Sequence, residues 1–210
     1  QDNIIVISDV DAVYVLSRDG ALAHTVRNPI WSNFSFQVYD DVMYFAPGPR
    51  AESFGAYDLT TRQYLFALDN ARFEAQWYSF PAIRAGRVYF GTVDPGRGLD
   101  WLFNYYAFDK NTGQMLWQYT DFAQWGMHPP ARPYDHWYRN LDLLDYQAPA
   151  LWRNLVIYTS GDSLVRAFDG RTGRLAWTRA MEYPVSAAPA VAGNRVYFGM
   201  GGDLVNRPRL

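Results

Sequence analysis

Few side chains in this sequence belong to types that carry metal or nucleophilic chemistry. The chain has no cysteine, which excludes disulfides, thiolate metal sites and a cysteine nucleophile. It has three histidines, and two of them, His128 and His136, flank Asp135 in one short segment. Imidazole and carboxylate groups can ligate a metal ion, but three histidines are too few for a His-rich site. We therefore predict no metal centre.

Aspartate recurs where the predicted second strand of each repeat ends. The positions are Asp9, Asp11, Asp94, Asp162 and Asp203. Several carboxylates that met at one point could bind calcium, but aspartate is also a common hairpin-turn residue, and we favour the turn role. No carboxylate pair stands out as an acid–base couple by its spacing. The sequence also lacks a P-loop, a Rossmann glycine fingerprint and a G-x-S-x-G elbow.

The composition is that of a folded, aromatic-rich β protein. Apolar residues make up 49% of the 210 positions and charged residues 19%, which excludes disorder over the whole length. Aromatic residues reach 18%, a density that favours strands over helices. The net charge of −2 argues against a nucleic-acid binder with a broad basic face. No apolar run is long enough to span a membrane.

An internal repeat supplies the elements that must position any site. Residues 56–66, 107–117 and 167–177 follow the pattern A-x-D-x-x-T-G-x-x-x-W, with Arg62 and Phe66 replacing Gly and Trp in the first copy. A fainter copy covers residues 15–22. The aspartate can accept N–H bonds across a tight turn, and the glycine can take the left-handed conformation. The strand that follows the turn carries the tryptophan position.

A second pattern alternates with the first one. It joins Pro-Ala-Val to Val-Tyr-Phe with seven residues from Pro to Val, and it starts at Pro81, Pro149 and Pro189. Together the two patterns predict a unit of four short antiparallel strands. The unit centres at residues 6, 44, 89, 157 and 197 are 38, 45, 68 and 40 residues apart. Four-stranded units at such a period predict an all-β β-propeller of about four to five blades.

The chain is predicted to form a single domain over residues 1–210, with insertions at about 95–102 and 120–140. The second insertion is rich in residues that dominate binding hot spots. Proline in it would lower the ordering cost of binding. We interpret it as a candidate partner loop, and the alternative is a loop that packs its own aromatic side chains on the blade. Its candidate contact residues are Trp125, His128, Arg132, Tyr134, His136, Trp137, Tyr138 and Arg139.

The first pattern resembles the tryptophan-docking motif of the PQQ-like, or quinoprotein-type, β-propeller repeat family. In that family the tryptophan of each blade packs against the motif of the next blade. The resemblance covers nearly the whole chain apart from the insertions, and its motif concerns blade packing rather than catalysis. It implies that the docking structure is formed by Phe66, Ala107, Gly113, Trp117, Ala167, Gly173 and Trp177.

Two branches of this family have different functions. Quinoprotein dehydrogenases oxidise alcohols with pyrroloquinoline quinone (PQQ) and calcium, typically under a disulfide that this chain cannot form. One of Trp31, Trp77, Trp101 and Trp152 would have to supply the planar floor for the quinone, although packing between blades is the ordinary role of such residues. The other branch is similar to the periplasmic propeller of the outer-membrane β-barrel assembly machinery, and residues 142–150 look like one of its blade starts.

The resemblance to the second branch implies a non-catalytic scaffold that binds proteins in a periplasmic or extracellular complex. This interpretation predicts no cofactor, a protein partner, no nucleic acid and no membrane span. The alternative is part of a PQQ-dependent dehydrogenase that oxidises alcohols or sugars, and only that alternative requires PQQ and calcium. Propellers of both branches usually have more blades. The chain is therefore expected to be part of a larger propeller, to self-associate into one, or to close as a small ring.

Overall fold

A computed structural model of the chain describes residues 5–8, 12–26, 36–46, 53–69, 77–78, 80–95, 100–124, 148–181, 185 and 187–199. Within these ranges the regular structure is entirely β-strand, and every strand pair is antiparallel. The strands form five sheets, which we number blades 1 to 5 along the chain. The calcium candidates Asp9, Asp11 and Asp203 lie outside the described residues.

Strands that follow one another in sequence pair as a meander in each blade, apart from the first short strand of blade 3, which pairs with the third. Blade 1 contains β1 (Ile5–Ser8), β2 (Val13–Leu16) and β3 (Leu22–Val26). Blade 2 contains β4 (Phe36–Tyr39), β5 (Val42–Phe45), β6 (Ser53–Asp58) and β7 (Gln63–Asp69). Blade 3 contains β8 (Trp77–Tyr78), β9 (Ala82–Arg84), β10 (Arg87–Pro95), β11 (Asp100–Asp109) and β12 (Met115–Gln124).

Blade 4 has the four strands that the repeat predicts. They are β13 (Ala150–Trp152), β14 (Leu155–Thr159), β15 (Leu164–Asp169) and β16 (Leu175–Ala180). The described part of blade 5 consists of β17 (Ala190–Ala192) and β18 (Arg195–Tyr197). The prediction of four-stranded antiparallel units, from a Pro-Ala strand to a Trp strand, is therefore confirmed.

Hydrophobic burial takes place between the blades, because each sheet turns a face towards its neighbour in sequence. Four buried clusters join blade 1 to 2, 2 to 3, 3 to 4 and 4 to 5. Between blades 2 and 3, the ring of Phe54 lies 5.1 Å from that of Phe90 and 4.5 Å from that of Phe108. Between blades 3 and 4, Tyr105 and Tyr158 are 4.7 Å apart. Such face-to-face stacking is how propeller blades form their core.

The turn before each Trp strand has the structure that its residues favour. Asp109 Oδ1 accepts hydrogen bonds from the backbone N–H groups of Asn111 and Thr112, both at 2.9 Å. Asp169 Oδ1 does the same for Arg171 at 3.1 Å and Thr172 at 2.9 Å. The turn ends at a glycine with a positive φ, +71° at Gly173, which a residue with a Cβ adopts only at a cost.

The Asp169 turn predicts a pH-dependent term in stability. The side-chain amide of Asn154, then Thr172 and the backbone, lower the pKa of Asp169 to about 2 from 3.8. A folded-state pKa below the unfolded one means that the carboxylate stabilises the fold above about pH 4. This stabilisation is lost as the pH falls towards about 2.

In Asp169→Asn, the urea concentration at the midpoint of unfolding should therefore decrease less between about pH 4 and 2 than in the wild type. The carboxylate is solvent-exposed, so we expect no more than about 1 kcal/mol. Asp41→Asn is the control, because no hydrogen bond to its carboxylate occurs among the described residues. Parallel pH profiles for wild type and Asp169→Asn would contradict the assignment.

Candidate functional site

The indole of Trp117 connects blade 3 to the turn of blade 4. Its Nε1 donates a hydrogen bond of 3.0 Å to the carbonyl oxygen of Gly170. Its ring covers Gly173 so closely that a Cβ on that glycine would lie 2.6 Å from the indole. Trp117 is itself 8% exposed and opposite Ala107, which is fully buried. A small residue and a glycine are thus what the indole requires on its two sides.

The same position recurs at the interface between blades 2 and 3 with a smaller ring. Phe66 lies over Gly113, where an added Cβ would be 2.6 Å from the phenyl ring. Trp177, the equivalent residue of blade 4, is 38% exposed. The residues Ala107 and Ala167 that face Trp117 and Trp177 in the sheet register are completely buried. That these contacts stabilise the assembly of blades is a prediction.

His24 occupies the corresponding position in blade 1, which the sequence analysis did not detect. In the sheet register it faces Val15 next to a bulge, as Trp117 faces Ala107. The turn of blade 1 is one residue shorter than the others, because Ser17 N–H bonds to Ala21 whereas Asp109 N–H bonds to Gln114. This deletion shifts the repeat spacing. Burial, then the charge of Arg62, lowers the pKa of His24.

A buried charge cluster joins blades 3 and 4. Arg166 on β15 is 1% exposed, and its Nη2 donates to the carboxylates of Asp162 and, at 2.9 Å, Asp121. Its Nη1 donates to the hydroxyl oxygen of Tyr105 at 3.0 Å and to that of Ser160 at 3.3 Å. Tyr105 and Asp121 belong to blade 3, whereas the other three residues belong to blade 4. The cluster therefore crosses the interface.

The Arg166 cluster is saturated, so its chemistry is that of a structural ion pair. Burial opposes the charge on Arg166, but Tyr105 and the two carboxylates raise its pKa above the usual value. Asp162 Oδ1 also accepts the backbone N–H of Leu164 at 3.1 Å, which is the turn role expected for this aspartate. The sequence analysis assigned no partner to Asp162. The position of Arg166 between Val165 and Ala167 does not indicate which carboxylates it will pair with.

Blade 3 carries a three-stranded extension. β10, β11 and β12 have 9, 10 and 10 residues, whereas the strands of blade 4 have between 3 and 6. Pairing continues to Pro95↔Trp101 and Asp100↔Gln124, so the described residues of both predicted insertions are strand. The candidate partner-loop residues Trp125, His128, Arg132, Tyr134, His136, Trp137, Tyr138 and Arg139 lie outside the described residues, directly after β12.

Among the described residues, Trp152 is the one candidate for a quinone floor whose side chain is placed. Within these ranges no three His, Cys, Asp or Glu side chains are placed to hold a metal ion. Trp152 has the guanidinium carbon of Arg153 4.4 Å from its ring centre, and Trp117 is covered by blade 4, so neither offers a bare planar floor. Trp31 and the side chains of Trp77 and Trp101 are not described. We derive no chemical step through a quinone.

Comparisons with known proteins agree with the fold. Residues 104–206 match the family described as outer membrane protein assembly factor BamB. The crystal structure of BamB from Moraxella catarrhalis superposes with a TM-score of 0.59 at 16% identity, over 95% of this chain and 54% of that one. The chain thus spans about half the length of BamB. A search of curated protein sequences gave no match.

Enzymes with the same fold are equally similar in structure. Quinohemoprotein alcohol dehydrogenase from Comamonas testosteroni gives a TM-score of 0.60 at 13% identity, over 99% of this chain and 38% of that one. The computationally designed protein Ika4 gives 0.54 at 15% identity, over 84% of this chain and 88% of that one. Identities this low show the fold alone.

The all-β propeller fold with four-stranded blades is confirmed, and the described sheets do not close into a ring. Across the described ranges there is no helix able to cross a membrane.

The contact between Trp117 and Gly173 can be tested with a glycine pair. Gly173→Ala introduces a Cβ at positive φ and forces it against the indole, so we expect a loss of about 2–4 kcal/mol in the free energy of unfolding. Gly86→Ala is the matched control, because Gly86 has φ +77° and nothing within 4 Å of its added Cβ. It should lose only about 1–2 kcal/mol. Equal losses in urea denaturation would contradict a packing role for Trp117.

The Arg166 cluster predicts a large loss when one partner is removed. Arg166→Met leaves the carboxylate of Asp162, 2% exposed, without its counter-ion, and we expect unfolding to become easier by about 3–5 kcal/mol. Arg179→Met on the exposed face of β16 should change it by less than about 0.5 kcal/mol. Adding Asp162→Asn to Arg166→Met should recover part of the loss. No difference between the two arginine variants would refute a stabilising role for the Arg166 cluster.

Proposed function

Because this chain belongs to the PQQ-like β-propeller repeat family and resembles BamB, we propose that it is a non-catalytic scaffold that binds a protein partner in an extracytoplasmic complex. The family match covers residues 104–206, which include the end of β11, all of β12, all of blade 4 and the described strands of blade 5. That family is described as an outer membrane protein assembly factor. A role in holding other proteins is therefore the one that we carry to this chain.

The extension of blade 3 is the observation on which this proposal rests. Its three strands remain paired out to Asp100↔Gln124, well beyond the register of an ordinary blade in this chain. Its base packs on blade 4 through Val93, Phe103 and the Asp121–Arg166 ion pair, and its strands stay paired beyond that contact. A rigid scaffold that presents a segment to a partner needs such a support, since binding residues commonly lie on connections held by a rigid fold.

The segment that follows the extension has the composition of a binding surface. Trp125 comes directly after β12, and Trp137, Tyr138 and Arg139 lie further along the same segment. Tryptophan, tyrosine and arginine provide most of the binding energy at protein interfaces. The stretch also contains three prolines, Pro129, Pro130 and Pro133, which reduce the entropy lost when a segment is ordered by a partner.

The extracytoplasmic location is part of the same proposal. It is supported by the family match to an outer membrane assembly factor. A scaffold in that compartment could bind partners at a membrane surface and would need no catalytic activity of its own. Fractionation of the source cells, with detection of the chain in the periplasmic or extracellular fraction, tests this part separately from the binding surface.

The binding surface can be tested by a double substitution in the segment. Trp125→Ala with Trp137→Ala should weaken binding to a partner that co-purifies with the chain by about tenfold or more, because both would be hot-spot residues. Tyr197→Ala is the control, since Tyr197 is an aromatic residue 52% exposed on a different blade. Binding is measured by calorimetry with the purified partner. An unchanged affinity of the double variant would count against the proposal.

The dehydrogenase alternative makes a different prediction. It requires PQQ and calcium, and it is supported by the similarity in fold to the quinohemoprotein alcohol dehydrogenase. Incubation of the chain with both, followed by an assay of dye-linked alcohol or sugar oxidation, separates the two hypotheses. Turnover that depends on PQQ and calcium would replace the scaffold proposal with the enzymatic one.

A further inference from the structure

A cleft with an arginine-rich rim opens between blades 3 and 4. It lies where the β9–β10 and β13–β14 hairpins turn and where the β15–β16 turn approaches them, and its volume is about 230 Å³. Its walls are apolar, formed by Tyr89, Leu151, Leu155 and Val156. Its charged residues are Arg84, Arg87, Arg153 and Arg171. No carboxylate is among the lining residues.

The arginines of this cleft are only partly paired: Arg153 stacks on Trp152 and Arg87 lies near Asp109, but among the described residues none of the four forms an ion pair. Arg87 donates from Nη1 to the carbonyl oxygen of Ala85 at 3.3 Å, but its Nε is buried and has no hydrogen-bond partner. A buried donor without an acceptor is destabilising, so the guanidinium of Arg87 is incompletely paired within the described residues.

Two carboxylates interact with residues of the cleft, and both are already engaged. Asp109 lies opposite Arg87 in the sheet and accepts three hydrogen bonds from Asn111 and Thr112 within its own turn. Asp169 accepts a 2.9 Å hydrogen bond from the amide of Asn154 as well as those of its turn. Four guanidinium groups against two occupied carboxylates leave this region positive in a chain whose net charge is −2.

We propose that this cleft binds a small amphiphilic anion. A carboxylate or phosphate head group would pair with the guanidinium groups, whose planar fork matches both, and a short apolar body would cover Tyr89 and Leu155. The volume is below the roughly 300 Å³ at which sites for drug-sized ligands begin, so one head group with a short chain is what fits.

The site is independent of the proposed scaffold role. Arg87 begins β10 and Pro95 ends it, so the cleft and the extension lie at opposite ends of blade 3. The fixed wall of the cleft comes from the blade interface itself, because Tyr89 donates from its hydroxyl to the Gly170 carbonyl at 3.1 Å. Closely packed blades thus shape the cleft before any ligand arrives.

Calorimetric titration of the whole chain with four probes tests the proposal. Hexanoate and hexyl phosphate carry both features, 1-hexanol lacks the charge, and inorganic phosphate lacks the apolar body. We expect at least one of the two amphiphilic anions to bind at millimolar concentration, and the stronger one identifies the head group. Hexanol or inorganic phosphate should bind at least about tenfold more weakly. Equal binding of hexanol, equal binding of inorganic phosphate, or no binding of either amphiphile would overturn the proposal.

Substitutions in the rim assign any binding to this cleft. Arg84→Gln with Arg153→Gln should weaken the tighter amphiphile by about tenfold or more, since two charge-assisted contacts are lost. Arg171→Gln on the facing turn serves if the double variant does not fold. Arg179→Gln is the control, being exposed on β16 and absent from the lining. Unchanged affinity in the rim variants, or an equal loss in Arg179→Gln, would show that the anion binds elsewhere.

Discussion

The contact that recurs between the described blades is the packing of an aromatic side chain on the turn of the next blade. Trp117 is held on one side by the backbone of Gly173 and on the other by the sheet at Ala107. Its hydrogen bond to the Gly170 carbonyl fixes the direction in which blade 4 meets blade 3. The same two blades bury their faces against each other, and the indole is part of that close-packed cluster.

The interfaces differ in how fully they use this contact. Tryptophan on glycine joins blades 3 and 4, phenylalanine on glycine joins blades 2 and 3, and His24 lies near Arg62 between blades 1 and 2. Towards the start of the chain, the side chain at this position is a smaller ring, and in blade 1 it is the polar imidazole of His24. Blades 3 and 4 also share the Arg166 cluster, whose hydrogen bonds add directional contacts to a hydrophobic interface. Removal of any one partner would leave a buried polar or charged group unpaired.

The two ends of blade 3 suit different kinds of ligand. At one end the lengthened strands lead into an aromatic-rich segment, whose size and composition favour a protein surface. At the other end tight hairpins bring arginines together over an apolar cleft that has room for one small anion. Both features depend on rigid blades, since loops and turns bind well only when their supports are fixed.

Local sequence alone determined the repeat. Asp169, Thr172 and Gly173 specify a turn because each satisfies its own short-range bonds or backbone angle, and the strand lengths follow from the apolar runs between such turns. The family resemblance followed from that spacing. The repeat pattern did not identify His24 as the equivalent of Trp117. The turn of blade 1 is one residue shorter, so the spacing from the turn to this position changes, although the position in the sheet is the same.

Tertiary structure decided which distant side chains meet. The partners of Arg166 lie up to 61 residues away, and the arginines of the cleft come from three separate turns. Nothing in the local pattern distinguishes an arginine that will be buried in an ion pair from one that will line a cleft. That difference depends on the angle and register between blades, which are set by the summed packing of both faces rather than by any one segment.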